Sequence, residues 1–164
     1  MNDKNNIELV DFTDLTQEEK LIVLEWRNSK KVRRWMHRKD MISTEEHLRF
    51  IELLRDDKTK KYFLVRKETS MIGVIYFTNI DTTMSCTEFG IYSDPLLKGN
   101  GVLLMQEIKQ YAFDVLMIKT LSAEVFTENI KAITLYLKNG FRQVQSYNLD
   151  SQKILLMELK NENR

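Results

Sequence analysis

The chain has 164 residues, 43% of them hydrophobic and 30% charged, with one proline and no Ser/Gly/Pro-rich run. It is therefore read as one compact domain over 1–164, which excludes a disordered tail or an interdomain linker. Twenty-five Lys and Arg against 24 Asp and Glu leave a net charge of +1, which excludes the global positive field of a general nucleic-acid or membrane-surface binder.

A lone cysteine, Cys86, cannot close an internal disulfide, and no apolar run reaches the length of a membrane span. The N-terminus MNDKNNIELV has neither a basic n-region nor an apolar h-region. The expectation is a reduced, soluble, cytoplasmic protein.

In chain order, Ile7–Phe12 has strand composition. Thr16-Gln17-Glu18-Glu19 is a capping-box spacing that predicts a helix to about Asn28. After a basic stretch, Ser43-Thr44-Glu45-Glu46 repeats the box before HLRFIELL, where Leu48, Phe50, Ile51 and Leu54 recur at helical spacing. Tyr62–Arg66, Met71–Asn79 and Thr87–Tyr92 are rich in β-branched and aromatic residues and predict an antiparallel meander. From Gly101 the period changes to 3.6, with Leu104, Ile108, Tyr111, Ala112 and Val115 on one stripe. Leu121–Phe126 reads as a strand, Asn129–Asn139 as a helix closed by Gly140, and Arg142–Leu149 with Lys153–Lys160 as a hairpin. The predicted order is βααβββαβαββ, an α/β fold. The crossover over 87–126 demands a parallel pair within a mostly antiparallel sheet.

The stretch SDPLLKGNGVLL sets Gly99 and Gly101 at a strand-to-helix junction, where N–H groups converge at the positive end of a helix and suit a phosphate. A Walker loop is excluded because Lys98 precedes Gly99 and Val102 follows Gly101. A dinucleotide fingerprint is excluded because position 104 is Leu104. A structural turn with no ligand is the competing reading.

Together with ENIKAITLYLKNGF, this turn resembles the acetyl-CoA core of the GCN5-related N-acetyltransferase (GNAT) superfamily. That family carries a (Gln/Arg)-x-x-Gly-x-(Gly/Ala) loop after its fourth strand and an Asn-x-x-Ala-x-x-x-Tyr helix ending in Gly-Phe after its fifth. Gly99 and Gly101 match the first pattern; Asn129, Ala132, Tyr136, Gly140 and Phe141 match the second. The usual Gln/Arg falls on Leu96, which removes a side-chain anchor and leaves the backbone cradle. The resemblance implies that the N–H groups of Lys98, Gly99, Asn100, Gly101 and Val102 hold the acetyl-CoA pyrophosphate. It implies that the Ile91 and Tyr92 backbone positions the pantetheine, that Asn129 contacts it or the adjacent backbone beside Ala132, and that Tyr136 protonates the departing thiolate. A buried core tyrosine is the competing reading of Tyr136.

An amine attacks a thioester as the free base, so a base is required. Glu124, Glu88 and His47 are the candidates, and each can equally be structural. WRNSKKVRRWMHRKD carries seven Lys/Arg from Arg27 to Lys39 with no acid before Asp40. It reads either as a solvated face or as a pocket for an anionic substrate, with Arg27 gripping phosphate and Trp35, Met36 or His37 packing on a base or sugar. His47 is grouped with this acceptor pocket.

LEWRN, WMHRKDMIS, HLRFIELL, KYFLV, IGVIYFTNI, EFGIY and YLKNGF, in that order, further resemble the N-acetyltransferase family of pseudaminic acid biosynthesis. Those enzymes acetylate the 4-amino group of UDP-4-amino-4,6-dideoxy-N-acetyl-β-L-altrosamine, a nucleotide sugar destined for flagellin or surface glycans. The implied partners are acetyl-CoA and a UDP-linked amino sugar, with direct transfer in a ternary complex. No nucleic acid, membrane or metal is expected, and a homodimer is left open. Trp-Arg-Asn also occurs in acetyltransferases of protein N-termini, ribosomal alanine acetylation included, and a non-catalytic acetyl-CoA-binding module is a second alternative. Cys86 is read as a small strand residue, not a nucleophile.

Overall fold

The computed structural model describes residues 6–162; the MNDKN part of the N-terminal reading lies outside them. The first strand, β1 (Ile7–Asp11), stops one residue earlier than its composition predicts. Asp11 accepts hydrogen bonds from the Thr13 N–H and hydroxyl, which turns the chain into a short 3₁₀ segment and buries Phe12.

Helix α1 (Gln17–Asn28) begins with the predicted box. Thr16 Oγ1 accepts from the Glu19 N–H at 3.1 Å while Glu19 Oε1 accepts from the Thr16 N–H at 2.9 Å. A four-residue helix, α2 (Lys30–Arg33), follows inside the basic stretch; its KKVR sequence is too short to show a helical period. Helix α3 (Thr44–Leu54) realises only half of its predicted box. Ser43 caps the Glu46 N–H, but the Glu46 carboxylate turns away to the Arg38 guanidinium at 2.5 and 3.0 Å.

The meander is present as β2 (Lys61–Lys67), β3 (Ser70–Asp81) and β4 (Cys86–Ser93), all antiparallel. Helix α4 (Gly101–Gln110) runs into a π-helical turn over Tyr111–Val115. That turn corrects the predicted stripe: the wider winding advances the register, so Ala112 is buried whereas Val115 is 59% exposed. Strand β5 (Thr120–Phe126), helix α5 (Ile130–Lys138), β6 (Arg142–Leu149) and β7 (Gln152–Lys160) complete the chain. Asn129 caps α5 through Oδ1 on the Ala132 N–H, and Gly140 follows it with φ +92°, the left-handed exit that favours glycine.

The seven strands form one mixed sheet in the order β1-β2-β3-β4-β5-β7-β6. Its parallel pair is short: only Cys86, Glu88 and the residue between them register with Thr120–Ser122. Beyond that point β4 and β5 part, leaving a gap in the middle of the sheet. Helices α4 and α5 cover one face through Leu104, Met105, Ile108 and Tyr136, packed on Phe77, Phe89 and Leu121. Helices α1 to α3 cover the other through Val23, Trp26, Val32 and Ile51, packed on Leu64, Val74 and Tyr92. The alternation of side chains along β4 therefore sends Phe89 to the α4/α5 side and Glu88, Gly90 and Tyr92 to the α1–α3 side.

Candidate active site

A cavity of about 1220 Å³ opens where β4 and β5 part, and it is lined from both faces of the sheet. At one end lies the glycine turn. Gly99 adopts φ +85°, and Asn100 precedes α4 without a side-chain cap on the helix N-terminus. The Leu104 N–H makes the first helical bond, to the Asn100 carbonyl at 3.0 Å. The N–H groups from Lys98 to Val102 thus have no acceptor among the described residues, and all five residues line the cavity. A Cβ at Gly101 would stand 3.3 Å from Leu135 Cδ2 on α5, so the missing side chain also lets the two helices close. Tight packing and a row of free donors thus coincide at this glycine, and such a row has the chemistry to hold a phosphate. Leu96 is 88% exposed and supplies no anchor.

Ile91 and Tyr92 follow on the parted segment of β4, with Asn129, Ala132 and Tyr136 of α5 across the cavity. The Asn129 carbonyl oxygen is taken up as the α5 cap, so its contribution to a ligand falls to its Nδ2. Tyr136 is buried against Phe89 and Phe141, with ring centroids 5.4 and 5.7 Å away. Its hydroxyl has no hydrogen bond among the described residues, and burial pushes it well above the ordinary tyrosine value, so it is protonated at neutral pH.

The other end lies under α1 to α3. Tyr62 and Tyr76 stack at 4.8 Å with an interplanar angle of 4°, and Tyr92 follows at 6.2 Å from Tyr76. Gly90 is what admits this arrangement: a Cβ there would fall 2.0 Å from Tyr76 Cζ. Arg27 of α1 reaches the same tyrosines. Its Nη2 donates to the Arg38 carbonyl at 2.8 Å, while Nη1 is buried with no hydrogen-bond partner. Burial draws this guanidinium below its ordinary value, with Tyr92 and Tyr76 opposing. Burial raises the three tyrosine hydroxyls.

The basic stretch is neither wholly a solvated face nor a bare cationic pocket. Residues 34–42 form a strap held by the chain itself: Arg33 of α2 donates to the Lys39 carbonyl at 3.1 Å, Lys39 to the Arg34 carbonyl at 2.9 Å, and the Asn28 amide of α1 exchanges hydrogen bonds with the Ile42 backbone. Trp35 lies beneath Arg34, whose guanidinium carbon is 4.8 Å from the ring centroid. Met36 accepts from the Tyr76 hydroxyl through sulfur at 3.8 Å. His37 and Lys39 carry the strap across to β5, each against the Phe126 ring, at 5.7 and 4.1 Å from its centroid.

The candidate bases separate by their surroundings. His47 lines the cavity but is buried, with Nε2 donating to the Lys20 carbonyl at 2.8 Å; burial lowers it below the usual histidine value. It ties α3 to α1 through that nitrogen. Glu88 accepts from Asn79 Nδ2 at 2.7 Å, and Asn79 sits with φ +49° at an irregularity of the β3/β4 register. Glu124 accepts from the Tyr147 hydroxyl at 2.5 Å and stands 3.1 Å from His37 Nε2, both on Oε2. Glu88 and Glu124 both line the cavity on its α1–α3 side. The sequence reading missed Tyr62, Tyr76, Gly90 and Tyr147. The first three were visible only as strand composition, and Tyr147 as one aromatic in a polar strand.

Cys86 is a half-exposed strand residue paired with Thr120, its thiol raised first by burial and then by Asp81 and Glu88. Among the described residues no three His, Cys, Asp or Glu side chains gather as a metal site, and no helix is long and apolar enough to cross a membrane.

Two acetyltransferases called PseH, from two strains of Campylobacter jejuni (NCTC 11168 and 81-176), are 50% and 49% identical to this chain over 135 residues, 82% of this chain and 84% of each relative. The crystal structure of C. jejuni N-acetyltransferase PseH in complex with acetyl coenzyme A superposes with a TM-score of 0.78 at 41% identity, covering 96% of this chain and all (100%) of that one. A Vibrio cholerae spermidine N-acetyltransferase with CoA and spermine superposes with a TM-score of 0.84 over 94% of this chain and 95% of that one; at 20% identity it shares the fold alone. Residues 10–142 match the acetyltransferase (GNAT) domain family, and with the parted strands, the uncapped glycine turn and the Asn129-capped helix α5 all present, the chain belongs to that family.

Proposed function

We propose that the chain moves the acetyl group of acetyl-CoA to the 4-amino group of UDP-4-amino-4,6-dideoxy-N-acetyl-β-L-altrosamine, in the cytoplasmic steps of pseudaminic acid biosynthesis. The likeness to the C. jejuni enzymes supports the pathway. Arg27 carries the acceptor class: a buried guanidinium nitrogen without a partner, facing a tyrosine-lined recess, calls for an anion. A UDP diphosphate supplies the oxygens, and the tyrosine rings and Trp35 supply flat surfaces for sugar or base.

Acetyl-CoA, when bound, supplies an activated acyl carbon. The chain's tasks follow from the proton balance. The acceptor nitrogen forms a C–N bond as the C–S bond breaks, so the ammonium must lose one proton and the sulfur must gain one. The Lys98-to-Val102 donors hold the pyrophosphate, and the Ile91 and Tyr92 backbone, unpaired with β5, orients the pantetheine and polarises the carbonyl. Tyr136, kept protonated by burial, hands its proton to sulfur. On the acceptor side Glu124 takes the ammonium proton, and Glu88, held by Asn79, adds negative potential beside it.

Competition kinetics test the acceptor assignment. UDP should inhibit competitively against the amino sugar and raise the melting temperature of the wild-type protein. Arg27→Ala should lower kcat/KM for the amino sugar about 10- to 100-fold, the size of a charged hydrogen bond of about 1.5–3 kcal/mol, with acetyl-CoA affinity unchanged. UDP that neither inhibits nor stabilises would remove the nucleotide-sugar reading.

A further inference from the structure

Glu124 is held from a direction that the reaction does not require. Cross-strand register places Tyr147 of β6, Ile154 of β7 and Phe126 of β5 in one row, with Gln145, Leu156 and Glu124 two rows along on the same face. The Tyr147 ring therefore crosses β7 diagonally to bring its hydroxyl 2.5 Å from Glu124 Oε2. The same oxygen faces His37 Nε2 at 3.1 Å from the strap, so two elements far apart in sequence converge on it. Oε1 has no hydrogen bond among the described residues.

We propose that Tyr147 is a positioning residue for acetyl transfer: by engaging Oε2 it fixes the Glu124 carboxylate and leaves Oε1 to take the proton of the acceptor ammonium. This rests on Glu124 being the base. Burial first, then the bond to Glu124, pushes the Tyr147 hydroxyl up to about 12, which keeps it a donor through the working range. The charged groups around Glu124 are Glu88 on β4, His37 and Lys39 on the strap, and Glu158 on β7, which pairs in register with Ser122 and Arg142. His37 Nε2 faces the same oxygen as Tyr147, so a second holder remains when the tyrosine hydroxyl is removed.

The test is a double-mutant cycle in kcat for the amine acceptor, at saturating acetyl-CoA, over wild type, Tyr147→Phe, Glu124→Gln and the double variant. Tyr147→Phe should lower kcat about tenfold, the size of one net hydrogen bond, leave KM for acetyl-CoA in place, and cause no further loss when added to Glu124→Gln. Glu124→Gln alone should lower kcat by about 10²- to 10⁴-fold. If Glu124→Gln keeps wild-type kcat, the base assignment and this inference fall together. If Glu124→Gln is impaired while Tyr147→Phe keeps wild-type kcat, or its loss multiplies with that of Glu124→Gln, the base stands and the positioning role of Tyr147 is overturned.

Discussion

Tyr136 concentrates the tension between structure and chemistry at the scale of single residues. It is a core side chain packed on Phe89 and Phe141, and it is also a buried hydroxyl at the cavity without a hydrogen-bond partner among the described residues. Tyr136→Phe keeps the packing and deletes only the hydroxyl. An acid role predicts a fall in kcat of about 10²- to 10⁴-fold with the acetyl-CoA dissociation constant unchanged; near-wild-type single-turnover rates would leave Tyr136 a core residue only. The position of this tyrosine was legible because the helix motif that contains it is local, seven residues from Asn129. Its partner groups on the acceptor side were less so. Arg27 was legible as a cation and not as one with a buried, unpartnered nitrogen, because that depends on Tyr62, Tyr76 and Tyr92 from three strands. His47, chosen for its ordinary titration range, instead braces α1 against α3.

Helix α4 shows at the scale of elements how one glycine serves two neighbours. Gly101 lets α5 approach through Leu135 and opens the N-terminal donors toward the cavity. Gly101→Ala tests the first role and Gly101→Asp both. Alanine should cost little, since Leu135 Cδ2 is the end of a flexible side chain, whereas aspartate adds a like charge facing the pyrophosphate. Acetyl-CoA affinity measured by calorimetry should fall more than tenfold for Gly101→Asp and by much less for Gly101→Ala. Equal and small effects in both, with native circular dichroism, would reduce the turn to a packing device. The element boundaries read well wherever a local rule governs them, as at Thr16 with Glu19 and at Asn129 with Gly140. They read poorly where a distant group intervenes. Arg38 draws Glu46 out of its box, and the π turn at Tyr111–Val115 breaks a period that the sequence continues.

The whole molecule is a sheet opened between β4 and β5 so that one cavity reaches both faces, with free backbone donors at one end and a cationic aromatic recess at the other. The insertion of β7 between β5 and β6 was not read from the sequence, whereas the parallel pair followed from the crossover between β4 and β5. The gap did not, because strand composition cannot tell a paired β4 residue from one left open, and Gly90 acquires its meaning only under the Tyr76 ring. A through-sheet cavity suits the direct transfer proposed above, in which each substrate would enter from its own face and the reacting atoms meet in the opening. The acceptor decides the account. Purified protein incubated with acetyl-CoA, a panel of UDP-4-amino sugars and a panel of N-terminal peptides, with products read by mass spectrometry, should yield a single acetyl added at the 4-amino group of the UDP-4-amino-4,6-dideoxy sugar and leave the peptides unmodified. Acetylated peptides with every UDP-amino sugar untouched would contradict it.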